Sequence, residues 1–166
     1  MKITYAGNTF PGDRDYNEDF FLIKESEKGY CFLLADGLGG HGKGEVASRL
    51  VCETAAQFFE ESPTTEDIYG MFDLAQDKLL EKQKEEHAED AMKTTMNIIT
   101  LDNELIRWGH VGDTRTYHFK KHKIVSRTKD HSVPQMMVTM GEIKEKDIRH
   151  HVDRNRLLKV MGIEWT

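Results

Sequence analysis

A chain of 166 residues with 38% hydrophobic and 31% charged side chains can bury a core of its own, which excludes intrinsic disorder and makes residues 1–166 a single expected domain. The net charge of −6 with scattered Lys and Arg excludes the basic stripe of a nucleic-acid binder. There is no run of about 18 apolar residues and no signal-like start, so no membrane span is expected and the cytoplasm is the expected compartment; Cys31 and Cys52 lie in apolar surroundings, as free buried thiols do.

In chain order, Ile3–Thr9 reads as a strand, Phe20–Ile23 as a second and Tyr30–Ala35 as a third. Each is a short apolar run bounded by turn signals. A loop with glycines at 37, 39, 40, 42 and 44 leads into a helix over Glu45–Glu60. There Ala47, Val51, Ala55 and Phe59 recur every four residues and form one apolar stripe. Ser62-Pro63-Thr64-Thr65 stops it, and a second helix follows with Ile68, Met71, Phe72, Ala75 and Leu79 on one face. Glu81–Asp90 reads as a solvated helical end or loop.

Thr94–Leu101 and Glu104–Val111 read as strands joined by an Asp102-Asn103 turn. Thr114–Phe119 and Lys123–Arg127 continue an antiparallel meander. Short helices are expected over Val133–Met140, Lys144–His150 and Arg154–Met161. Strands, then two long helices, then strands and short helices indicate an α+β fold. The expected architecture is a sandwich of two antiparallel sheets flanked by helices.

Acidic residues stand at strand ends: Glu18-Asp19 before Phe20, Asp36 after Ala35, and Asp113 after Val111. Carboxylates gathered at a sheet rim repel one another, and a divalent cation relieves that repulsion. An all-oxygen donor set favours Mg²⁺ or Mn²⁺ over zinc.

Arg14-Asp15-Tyr16-Asn17-Glu18-Asp19, Ala35-Asp36-Gly37-Leu38-Gly39-Gly40-His41 with Gly44-Glu45-Val46-Ala47-Ser48, and Gly112-Asp113-Thr114-Arg115 together resemble the protein phosphatase 2C (PPM) family in its bacterial form. Thr128–Ser132, Met140–Ile143 and Asn155–Leu158 resemble later blocks, so the resemblance runs from about Gly7 to Gly162. It implies hydrolysis of phosphoserine and phosphothreonine in proteins, with two Mn²⁺ or Mg²⁺ ions activating a water for in-line attack and no phosphoenzyme.

Residue by residue, Asp36 matches the carboxylate that bridges the two metals, and the Gly37 carbonyl matches a ligand of one of them. Glu18 and Asp19 match groups that hold that same ion directly or through water. Arg14 matches the phosphate-binding arginine, whose fork suits two phosphate oxygens. Asp113 matches the aspartate that helps hold a third, weaker metal in bacterial relatives; it can also stiffen the turn before Thr114. His41 stands where bacterial relatives place a histidine. It is a candidate proton donor to the leaving alkoxide, or a residue that organises the loop or meets the substrate.

Two departures from the family pattern stand out. Lys93 occupies a position that is usually glycine. The later Ser-Asp-Gly and Asp-Asn blocks, whose aspartates complete one metal's shell, have no counterpart in this sequence. The domain is therefore expected to be incomplete at its C-terminus, with weak or no turnover. Its open sheet edges are expected to recruit a second copy. The competing expectation is a non-catalytic phosphatase-like module that binds phosphoprotein or another partner.

Overall fold

The computed structural model describes residues 3–39 and 42–165. Its elements are β1 (Asp19–Ser26), β2 (Gly29–Asp36), α1 (Gly44–Glu61), α2 (Ile68–Glu85), β3 (Met96–Leu101), β4 (Ile106–Val111), β5 (Tyr117–Lys120), β6 (Lys123–Arg127), α3 (Val133–Met140) and a 3₁₀ turn, Glu145–His150. The first four strands make one antiparallel sheet in the order β1-β2-β3-β4, and β5-β6 form a separate hairpin sheet. The fold is α+β with two antiparallel sheets and helices, as expected from the sequence.

Alternation along the strands decides which face is buried. Cys31, Leu33 and Ala35 of β2 and Met96 and Ile98 of β3 point toward the helices and are buried. They pack with Ala47, Val51, Cys52, Ala55 and Phe59 of α1 and with Met71, Phe72, Ala75 and Leu79 of α2. The alanines on both sides let α1 lie close to the sheet. The C-terminal end of α1 is closed by Ser62, whose N–H and hydroxyl both reach the Phe58 carbonyl (2.9 and 2.7 Å), and Pro63 ends the helical path. Lys28, in the β1–β2 turn, gives its ammonium group to the Phe59 and Ser62 carbonyls. A cation is thereby placed at the negative end of the helix dipole.

Asp67 caps α2, its carboxylate accepting from the Gly70 N–H at 2.7 Å. Gln76 and Gln83, buried on α2, reach across to the chain end. Gly162 N–H donates to Gln76 Oε1 (2.9 Å), and Gln83 Nε2 donates to the carbonyls of Ala91, Met92 and Gly162 (3.1, 3.2 and 3.0 Å).

The opposite sheet face is apolar and open. Phe32 and Ile99 are partly covered, while Leu34, Trp108 and Ile106 are 38, 42 and 54% exposed. Tyr5 lies edge-on over Phe32, with centroids 5.8 Å apart.

Three expectations differ. The meander stops at β4, because β5 pairs with β6 in a sheet of their own. Ile3–Thr9 is extended coil and not a strand, because no described strand pairs with it. Arg154–Met161 is not a helix: Leu157 bridges to Ser132 and Met161 to Thr94, so backbone pairing with distant segments replaces local helical bonds. Among the described residues, no helix is long and apolar enough to cross a membrane. Cys31 and Cys52 are buried free thiols.

Candidate active site

The β1–β2 register sets Asp19 directly opposite Asp36, on the face away from the helices. The Asp36 backbone is held on its other side by the Thr94-Thr95 pair. Its N–H donates to Thr95 Oγ1 (3.0 Å), and its carbonyl accepts from Thr94 Oγ1 and from the Thr95 N–H (both 2.9 Å). A Gly37–Thr94 bridge extends the ladder. The bonds flanking it run from Thr95 N–H to Asp36 and from Leu38 N–H to Lys93 (2.9 Å). They leave the Gly37 carbonyl outside the ladder.

Glu18 is buried, and its carboxylate meets the Arg14 guanidinium at 2.9 Å. Its own carbonyl accepts from the Gly37 N–H (3.1 Å) and from Ser48 Oγ (2.6 Å). The carboxylate lies in a cradle of two glycines. A Cβ at Gly39 would overlap Glu18 Oε2, and one at Gly44 would come within 2.9 Å of Oε1.

Asp113 follows β4. Thr95 Oγ1 and the Thr114 hydroxyl, 2.7 Å apart, tie the turn that carries it to the strand segment that fixes Asp36. Asp36, Gly37, Arg14 and Asp113 line one cleft of about 650 Å³, together with Leu38, Gly39, Lys93, Asn155, Arg156, Leu157, Val160 and Ile163.

Electrostatics follows from this gathering. Burial comes first and the adjacent Asp19 charge second; with Asp113 they push the Asp36 carboxyl up to about 7 against the pull of Arg14. Asp113 is likewise raised, chiefly by burial. Arg14 offsets the negative charge at this rim only in part, since Asp36 stays raised, and the donors are all oxygen, so the residues fit a hard divalent cation.

The sequence-predicted residues do not all converge. Asp19 and Asp36 are cross-strand neighbours, and Asp113 shares the cleft that Asp36 lines. The Glu18 side chain is turned into its glycine cradle and toward Arg14. Among the described residues, no three acidic, histidine or cysteine side chains cluster as a ready-made metal cage. His41 lies outside the described residues.

Sequence reasoning missed Asp130. It is buried and takes two hydrogen bonds from Arg115, Nε to Oδ1 at 2.7 Å and Nη2 to Oδ2 at 2.6 Å. Burial of such a pair had no local signal, since its partners sit on separate elements. Lys93 lines the cleft, so the departure from glycine adds a lysine to its wall.

The comparisons agree with this fold. The family model described as protein phosphatase 2C matches residues 11–158. The serine/threonine phosphatase stp of Listeria monocytogenes is 28% identical over 91% of this chain and 63% of its own length. PstP of Mycobacterium tuberculosis, a serine/threonine protein phosphatase, is 29% identical over 77% of this chain and 26% of its own. Among solved structures, the serine/threonine phosphatase Stp1 of Staphylococcus aureus superposes with a TM-score of 0.84 at 28% identity, covering 92% of this chain and 63% of that one. The catalytic domain of PstP in complex with two manganese ions superposes with a TM-score of 0.70 at 26% identity, over 92% of this chain and 64% of that one. The chain spans less than two thirds of the length of the curated relatives it matches. By sequence match and by fold, it belongs to the protein phosphatase 2C family.

Proposed function

We propose that the chain carries the phosphate-binding and metal-binding rim of a Mn²⁺- or Mg²⁺-dependent protein serine/threonine phosphatase, a hydrolase acting on phosphorylated proteins. The observation that carries the reading is the cleft that holds Arg14, Asp36, the Gly37 backbone and Asp113 together. Asp36, Asp19, Asp113 and the Gly37 carbonyl are the groups that would hold the ions, and Glu18, here turned to Arg14, would do so through water. When bound, the ions supply Lewis acidity and a water made nucleophilic at neutral pH.

The protein's own groups position the substrate. Arg14 uses one arm on Glu18 and keeps its remaining N–H donors for phosphate oxygens at the cleft mouth. In the reaction the water gives up a proton to solvent, its oxygen bonds to phosphorus, the P–O bond to the serine or threonine oxygen breaks, and that oxygen takes a proton; His41 is the proposed donor, reprotonated from solvent. Two buried free thiols fit a reducing compartment, and cytoplasmic residence is part of the proposal.

A second reading, a phosphoprotein-binding module without turnover, is favoured by the lack of three converging ligands among the described residues. The two readings separate in one assay. Mn²⁺-dependent hydrolysis of a phosphothreonine peptide is measured for the 166-residue chain. It is measured again after adding, in cis or as a fragment, the segment by which the relatives exceed it. Low activity that rises at least about a hundredfold on completion supports the enzyme. No activity in either form, with peptide binding retained, supports the module. Full activity of the chain alone overturns the ligand assignment.

A further inference from the structure

A second cleft, about 620 Å³, adjoins the first. The two share Asp113 and Asn155 in their walls. Arg115, Arg127, Arg149 and Arg154 line it against the acids Asp113, Asp130 and Glu145. Two of the arginines are occupied, Arg115 on Asp130 and Arg127 on Glu145. Arg149 and Arg154 are exposed, and their side chains make no hydrogen bond or ion pair among the described residues.

Their backbones are nevertheless fixed. Arg149 lies in the 3₁₀ turn anchored by buried Ile148. The Arg154 N–H donates to the His151 carbonyl at 3.1 Å, and Arg156 N–H closes the next turn on Asp153 at 2.9 Å. With Arg115 and Arg127 paired, the two remaining guanidinium groups on this braced segment outnumber the one remaining acid of the cleft, Asp113, in a protein of net charge −6. A guanidinium fork matches the planar oxygens of a carboxylate or the oxygens of a phosphoryl group.

We infer that this second cleft recognises an additional anionic group of the substrate, a carboxylate or a further phosphoryl group next to the phosphorylated residue, through Arg149 and Arg154. The inference rests on the proposed phosphatase reading of the adjoining cleft. It gives the protein a preference for acidic or multiply phosphorylated segments. The arrangement acts on binding and not on bond breaking, because neither arginine lines the cleft of Asp36 and Arg14.

The test uses fluorescence anisotropy with Mn²⁺ present and peptides carrying a non-hydrolysable phosphonate mimic of phosphothreonine. One peptide has neutral flanks. A second set carries a single Asp scanned through the flanking positions, and a third set carries a second phosphonate at the same positions. The expected result is that at least one anionic register binds about five- to tenfold tighter than the neutral peptide, and that added salt reduces the advantage. Arg149→Gln with Arg154→Gln removes the advantage and leaves the neutral peptide's affinity unchanged. The stronger of the Asp and phosphonate sets identifies which anion is read.

Equal binding of anionic and neutral peptides by the wild type overturns the inference. So does an advantage that survives the double variant. Failure of the underlying reading looks different: Arg14→Gln then leaves the neutral phosphonate peptide's affinity unchanged, whatever the anionic flanks do. Thermal melting of each variant confirms that it is folded; the two exposed positions carry no packing.

Discussion

Asp19 and Asp36 face each other across the β1–β2 ladder, two carboxylates on adjacent strands at the same rim of the sheet. This placement makes the metal-free protein sensitive to pH. Asp36 is raised from 3.8 to about 7, first by burial and then by its neighbour. A raised pKa means that the fold favours the protonated form. The resulting stability is complete below about pH 4 and is lost as pH rises through about 7. In EDTA, the melting temperature should therefore fall between pH 5 and pH 8. Asp36→Asn should flatten the profile. A wild-type melting temperature that does not change over this range would contradict the assignment.

The same residue should govern metal affinity. Calorimetric titration with Mn²⁺ should show Asp36→Asn binding at least about tenfold more weakly, since changes even to outer partners of a ligand cost that much. Equal binding by wild type and variant would remove Asp36 from the ligand set.

Asp130 should be a stability determinant beside the site. Removing it leaves Arg115, itself only 31% exposed, without its two-pronged partner. Asp130→Ala should cost about 2–3 kcal/mol in urea unfolding, near the lower end of the range for a broken buried pair. An effect below about 0.5 kcal/mol would show that solvent replaces the carboxylate readily.

Gln83 should hold the end of the chain in place. It serves three carbonyls at once, and Val160 and Ile163 of the segment it ties down line the cleft. Gln83→Leu leaves those carbonyls without a donor and should cost about 2–4 kcal/mol. Hydrogen exchange should quicken over residues 158–164 and stay unchanged in β2 and β3. A uniform change over the whole chain would mean that the residue acts on global stability alone.

The open sheet face should drive self-association. Leu34, Ile106 and Trp108 are exposed there, and apolar surface of this kind favours a second copy. Sedimentation should show a concentration-dependent dimer. Trp108→Glu should shift the equilibrium toward monomer by about tenfold or more. A wild-type chain that stays monomeric at all concentrations would refute the expectation.

The sequence was most readable where local rules and burial agree. Cys31, Leu33 and Ala35 alternate because one face of β2 meets helices, and Ala47, Val51, Ala55 and Phe59 repeat because one side of α1 meets the sheet. The acidic rim was readable because strand ends place Asp36 and Asp113 where a strand stops. Three features were not. Ile3–Thr9 has the composition of a strand, but composition supplies no pairing partner. Arg154–Met161 has helical spacing, yet Thr94 captures Met161 by two backbone bonds of 3.3 and 2.8 Å. Gln76, Gln83 and Asp130 look like surface residues until the fold brings distant partners to them. Periodicity reports what a segment presents to its surroundings; it does not report which remote segment answers.

The glycine cradle around Glu18 also limits how this region can vary over evolutionary time. A side chain at residue 39 would displace the buried carboxylate, and one at residue 44 would crowd it, so these positions cannot drift independently of residue 18. Gly42, by contrast, has nothing within 4 Å of where a Cβ would stand, although its φ of +77° still disfavours most side chains. In a saturation-mutagenesis map, position 44, where a Cβ also meets the Gly37 and Leu38 backbone at 2.8 and 2.9 Å, should therefore reject even alanine, while position 39 should accept alanine only where the Glu18 carboxylate moves aside. Position 42 should accept asparagine or aspartate, whose side chains tolerate that backbone. Descendant sequences would then record the shape of the Glu18 pocket more faithfully in the residues that lack side chains than in those that have them.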